Sequence, residues 1–300
     1  MHDLDLLSRY AIPGQLRFRA TPAGLAFADI DNPAGTASVC LQGAHLTTFR
    51  PKSQPEPVVW LSDAARLLPG KSIRGGVPVC WPWFGAHPSD SRLPAHGFAR
   101  TVPWDVIDSG ASAGVTHITL QLRPTAATRA QWPHDTPLTL RISVGDTLDM
   151  ALTTRNASAG ALPLSEALHT YFQVGDVAQV ELLGLDGCTY LDKTEAFARR
   201  QQHGAVRFSG ETDRVYVGTH SECVIHDPLL QRRIRIAKQG SASTVVWTPW
   251  EDKAAAMGDF TAHGWRQMVC VESANAADDS LVLQPGQTHT LQVRYSAEAL

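Results

Sequence analysis

Residues 138–155 read LTLRISVGDTLDMALTTR, and the fold turns on how that stretch is interpreted. Leu138, Leu140, Ile142 and Val144 fall at every second position, and after Gly145-Asp146 the alternation resumes with Leu148, Met150 and Leu152. Successive side chains of a strand point to opposite sides, so a period of two predicts strands with one buried face over 138–144 and 147–155. The Val-Gly-Asp break supplies the turn between them. Working outward, the same signature predicts strands at 15–20, 115–123, 163–173, 232–237, 243–247, 267–273 and 287–295. Turn-forming clusters such as DNPAG, NASAG and QPGQ punctuate them. A 3.6-residue period is confined to short turns near 125–131 and 251–257. Short strands with frequent turns indicate an all-β chain built as an antiparallel sandwich or barrel. No linker, composition shift or repeat divides it, so residues 1–300 are expected to form a single domain. The stretch 69–104 is different: rich in Gly, Pro and Trp, it predicts a long ordered loop, a common home for function.

Composition narrows the possibilities. Hydrophobic residues make up 43% of the 300 and charged ones 18%, enough for a large core and against disorder. The net charge is -3 with dispersed basic residues, so neither nucleic acid nor an anionic membrane is an expected partner. No apolar run approaches membrane-spanning length, and the opening MHDLDLLSRYAIPG has no secretory pattern. Five cysteines, widely spaced and without C-x-x-C, fit buried thiols in a reducing cytoplasm. None of the 12 histidines lies in a metal-binding spacing, so no metal and no cofactor are expected. There is no G-x-S-x-G and no glycine-rich nucleotide loop.

Four short constellations carry candidate chemistry. In SIRGGVP, Arg74 precedes two glycines that let a ligand approach the backbone, and its guanidinium suits phosphate or carboxylate. Read alone, it is a turn with a solvated arginine. LPAHGFAR gathers His96, Phe98 and Arg100. In SEALHTYF, strand alternation puts Ser165, Ala167, His169 and Tyr171 on one face, opposite Leu164, Leu168 and Phe172 with Glu166. In QMVCVESAN, Glu272 ends an apolar string, where burial would raise its pKa and make it a better base. Asp213, in ETDRVY, reads by itself as a surface acid paired with Arg214.

Together, SIRGGVPVCWPWFG, LPAHGFAR followed by Trp104, EALHTYF, GLDGCTYLDK, ETDRVY and VVWTPWEDKAAAMGDF running into VCVESAN resemble the glucose-6-phosphate 1-epimerases (hexose-6-phosphate mutarotases) of the aldose epimerase group. The strings span roughly residues 70–275. The resemblance implies a large antiparallel β-sandwich of the galactose-mutarotase-like type. It further implies His169 as general acid, Glu272 as general base, Asp213 and His96 on sugar hydroxyls, and Arg74 and Arg100 on substrate and phosphate. Ala95 stands where some members carry Gln. The reaction would interconvert the anomers of a hexose 6-phosphate. Glu272 would take the anomeric proton while His169 protonates the ring oxygen, the two held on opposite sides of the reacting centre and not bonded to each other. The expected enzyme is a cytoplasmic monomer with a small hexose phosphate as its partner. The alternatives are an aldose 1-epimerase of unphosphorylated sugars, a non-catalytic carbohydrate-binding sandwich, and a glycoside hydrolase using Asp213 with Glu272.

Overall fold

In the computed structural model, which describes residues 4–300, the expected alternation becomes a broad antiparallel sheet. Leu138–Val144 and Leu148–Arg155 pair across the Gly145-Asp146 turn. Glu181–Leu183, Cys223–Asp227, Arg232–Gln239 and Thr288–Ala299 extend this sheet on one side, and Val115–Leu122 and Trp104–Ser112 on the other. Its inward residues, among them Leu140, Ile142, Leu148 and Leu152, are fully buried.

A second sheet packs against those residues. Its strands, in spatial order, are Ala198–Gln201, Thr189–Asp192, Thr212–Val217, Ser243–Thr248, Met268–Asn275, Glu166–Leu168 and Val79–Cys80. Tyr171–Gln173 also pairs with Met268–Asn275. Val246, Val269, Val271, Leu168 and Phe172 point from this sheet into the shared core, in one cluster with Ile142 and Leu152. Two sheets sharing one apolar layer make a sandwich, as expected. Among the described residues two smaller sheets complete the set. One is the Leu16–Ala20, Ala26–Asp31, Gly35–Cys40 and His45–Pro51 meander, the other the Leu162–Leu164 and Leu281–Leu283 pair.

The single strand expected over 163–173 is not continuous; it is three short ones, Leu162–Leu164, Glu166–Leu168 and Tyr171–Gln173. The physical reason lies in the backbone donors. The His169 and Tyr171 amides donate to the Pro78 and Gly76 carbonyls, and the Thr170 amide donates back to Leu168, so the chain turns toward the 76–78 segment. The 69–104 stretch holds little regular structure, namely Val79–Cys80 and the turn Ala99–Thr101. Ala126–Gln131 and Trp250–Met257 are short helices where helical turns were expected, the first capped by the Thr125 hydroxyl. No helix among the described residues is long and apolar enough to cross a membrane. The cysteines are all free thiols.

Candidate active site

The second sheet brings the predicted acid and base together through strand register. Leu168 pairs with Ser273, and beyond the interruption Tyr171 pairs with Cys270 in the same register. His169 therefore stands opposite Glu272, and opposed residues of an antiparallel pair project to the same side. Across the next strands Glu272 faces Val245, while Cys270 faces Trp247 and Trp247 faces Asp213. The floor of the site is thus built from two adjacent rows, His169–Glu272–Val245 and Tyr171–Trp247–Asp213, with the Cys270 side chain of the second row buried out of the cavity. The rings of His169 and Tyr171 are stacked with centroids 5.0 Å apart.

Loops raise the walls. Gly75 and Gly76 both adopt positive φ, and a Cβ on either would collide with neighbouring backbone, so the IRGG turn can close only as glycines. The buried His45 fastens this turn from behind, its Nε2–H donating to the Gly75 carbonyl over 2.8 Å. Arg74 then reaches over the floor, donating to Asp259 at 3.0 Å and to the Tyr171 hydroxyl at 2.7 Å. Gly97 is held against the Trp81 carbonyl with no room for a side chain, which carries His96 and Arg100 to the opposite rim. His96 Nδ1 accepts from the Gly85 amide at 3.3 Å, and its ring lies 5.9 Å from that of His169. The Ala95 carbonyl accepts from Arg100 Nη2 at 2.8 Å.

All six predicted residues, Arg74, His96, Arg100, His169, Asp213 and Glu272, line one cavity of about 270 Å³. Larger hollows beside Trp132, Pro13 and Phe27 contain none of the six. Two expectations need correcting. His169 and Glu272 are not held apart: Nε2 and Oε1 are 3.3 Å from each other. Asp213 is not paired with its neighbour Arg214, which lies against Asp192 at 3.4 Å, but with Lys193 at 2.8 Å. The reason is again alternation: adjacent residues of a strand point to opposite sides. Lys193 and Lys253, also at the cavity, were not singled out from sequence. Both lie within strings that resemble the family, GLDGCTYLDK and VVWTPWEDKAAAMGDF, and the Asp192 carboxylate caps the turn Lys193–Glu195.

Three of the four cations at the cavity already face an acid: Arg74 faces Asp259, Lys193 faces Asp213 and Lys253 faces Glu211. Among the described residues no carboxylate is paired with Arg100. Glu272 is 1% exposed, and its Oε2 has no hydrogen-bond partner. Burial pushes its carboxyl well above the usual range, more than the nearby Lys193 lowers it. Burial also pushes His169 well below its ordinary value, helped by His96, Arg100 and Arg74. Both shifts have the same main cause, the cost of holding a charge in a buried contact. On the far face of the same sheet, Glu166 is fully buried between Thr154, which donates to it at 3.3 Å, and His289 at 3.5 Å. Burial raises that carboxyl to about 8.

The model of the family described as aldose 1-epimerase matches residues 28–296. The chain belongs to the aldose 1-epimerase family. Family relatives from Escherichia coli K12 and from Cenchrus ciliaris carry the name "Putative glucose-6-phosphate 1-epimerase". The first is 39% identical over 264 residues, 88% of this chain and 87% of its own length. The second is 35% identical over 271 residues, 87% and 81%. Among solved structures, "a putative mutarotase" from Salmonella typhimurium superposes with a TM-score of 0.89 at 33% identity, covering 100% of both chains. The chain is therefore an epimerase, an isomerase acting on sugars, with the galactose-mutarotase-like fold.

Proposed function

We propose that this epimerase interconverts the α and β anomers of a hexose 6-phosphate, D-glucose 6-phosphate first, with His169 and Glu272 as its acid–base pair. The observation that carries this reading is their convergence, 3.3 Å apart, in a cavity whose rim bears Arg100 without an acidic partner. The names of the relatives point to the same substrate.

Ring opening takes a proton from the anomeric oxygen and delivers one to the ring oxygen, and reclosure reverses both transfers. The pair thus needs one proton in total, wherever that proton rests. The two oxygens share a single carbon, so groups standing side by side reach both. Passing the proton from Glu272 to His169 yields the carboxylate that accepts from the anomeric hydroxyl and the imidazolium that protonates the ring oxygen. A phosphate dianion at Arg100 and Arg74 offsets the positive charge that helps hold His169 down, so the substrate itself favours the imidazolium. Asp213, held by Lys193, and His96 supply hydroxyl contacts that keep the open chain in place between the two closures. Free thiols and the lack of charge on the scale of a nucleic-acid site fit a cytoplasmic protein acting on a small molecule.

The test is anomer exchange, followed by polarimetry or NMR, with glucose 6-phosphate and glucose in parallel. Faster exchange on the phosphorylated sugar, lost on replacing Arg100 by Ala, is the expected result. Equal rates on both sugars would make this an epimerase of free sugars, and sugar binding without exchange would make it a carbohydrate-binding sandwich.

A further inference from the structure

His169 and Glu272 have a third polar neighbour that ring opening does not use. Cys270 lies two residues from Glu272 on the Met268–Asn275 strand, hence on the same face, and it occupies the row next to His169. Its thiol is fully buried beneath Tyr171, Trp247 and Trp60 and does not line the cavity. One ligand atom from each of His169, Cys270 and Glu272 lies within 4.8 Å of the other two. No short motif announces this set, because it is assembled by pairing two strands about a hundred residues apart.

The geometry is close to that of a tetrahedral metal. Zinc bonds of about 2.0–2.1 Å to nitrogen and oxygen, opened to a tetrahedral angle, put those two atoms about 3.3 Å apart. The observed separation of His169 Nε2 and Glu272 Oε1 is 3.3 Å. A zinc–sulfur bond of about 2.3 Å asks for edges of about 3.6 Å, so from separations within 4.8 Å the sulfur needs to close in by about 1.2 Å at most. A separate observation also favours a ligand here. Glu272 is 99% removed from solvent, yet its Oε2 has no hydrogen-bond partner. A buried polar atom without a partner is costly, and a cation would satisfy it.

We infer that His169, Cys270 and Glu272 form an inhibitory site for a thiophilic divalent cation of the zinc class. The cation displaces the thiol and carboxyl protons to solvent, and the two negative ligands and neutral imidazole balance its charge. The fourth position opens toward the cavity, for water. With both members of the acid–base pair ligated, neither can move a proton, so the bound form is inactive until a chelator removes the metal. Magnesium and calcium, which prefer all-oxygen ligands, do not compete. The binding claim stands by itself; only the inhibition rests on the epimerase reading.

The experiment uses the full chain, stripped with a chelator and kept in a buffer free of thiols. Cobalt(II) is the spectroscopic probe and zinc chloride the inhibitor, on wild type, Cys270→Ala and Cys270→Ser, the serine variant guarding against a packing defect. Wild type should bind one cobalt per chain with a thiolate charge-transfer band that both variants lack. Zinc should slow anomer exchange reversibly in wild type. Both variants, retaining basal exchange, should need at least about tenfold more zinc, the scale on which even an indirect partner alters metal affinity. No thiolate band in wild type, or equal zinc sensitivity in all three proteins, overturns the site. A thiolate band together with undiminished exchange in the zinc-loaded enzyme keeps the site and overturns the roles given to His169 and Glu272.

Discussion

The two large sheets bury their strands differently. In Leu148–Arg155 every second residue is buried and the rest face outward, half covered. In Met268–Asn275 all eight residues are buried, because the core covers one face and the cavity loops the other. On the first strand, burial is a matter of apolar residues alone until Thr154. On the second, three polar side chains are enclosed as well. Asn275 has partners, donating to Gly240 and Asp279. Glu272 Oε2 has none. A sheet that only packs can exclude such a group; the sheet that carries the proposed acid–base pair keeps it at a cost to stability.

That contrast predicts which substitutions harm activity and which harm stability. The largest effect is expected at the pair: His169→Ala or Glu272→Gln should lower kcat on the order of 10²-fold or more by polarimetry. Glu272→Gln should leave the melting temperature no lower than wild type, since burial already disfavours the charge that the substitution removes. Next, Arg100→Ala should cost about 10- to 100-fold in kcat/KM on glucose 6-phosphate, the worth of a charge-assisted hydrogen bond, and far less on glucose. Equal losses on the two sugars would remove phosphate from the account of the rim.

A smaller effect is expected behind the site. Glu166 is neutral in the folded chain up to about 8 but ionises near 4.5 when unfolded. Between those values the unfolded chain binds fewer protons. The stability from its burial is therefore complete below 4.5 and lost as pH rises through about 8, by on the order of 1 kcal/mol per pH unit. Glu166→Gln should flatten that slope in urea titrations run across the range. Last, Ile142→Val in the packing sheet should lose about 0.5–1.5 kcal/mol of stability with kcat unchanged. A drop in kcat there would blur the division of labour between the sheets.

The same contrast explains what was legible in the sequence. Leu138–Val144 was bounded to the residue and Leu148–Arg155 nearly so, because a half-exposed strand writes its faces into the alternation. Ala26–Asp31 and Gly35–Cys40, built largely of small and polar residues, give no such rhythm and escaped notice. Thr212–Val217 escaped as well, its apolar residues too few to alternate visibly. At the site, the six residues singled out by the resemblance all meet at one cavity, whereas Lys193 and Lys253, in the same strings, were not singled out. Their mutual geometry was not legible. The 3.3 Å contact between His169 and Glu272 depends on strand register, and the Asp213–Lys193 pair on the turn after Thr189–Asp192 lying beside Thr212–Val217. Neither is encoded in any local pattern. The interruption at His169–Thr170 depends on carbonyls of a loop some ninety residues earlier, which alternation cannot foresee.

The central claim is that His169 and Glu272 act as one unit on one proton. Anomer-exchange NMR on glucose 6-phosphate with His169→Ala, Glu272→Gln and the double variant tests it most directly. If the pair is a unit, the double variant should be no slower than the worse single one. Losses that multiply, or single variants near the wild-type rate, would contradict it.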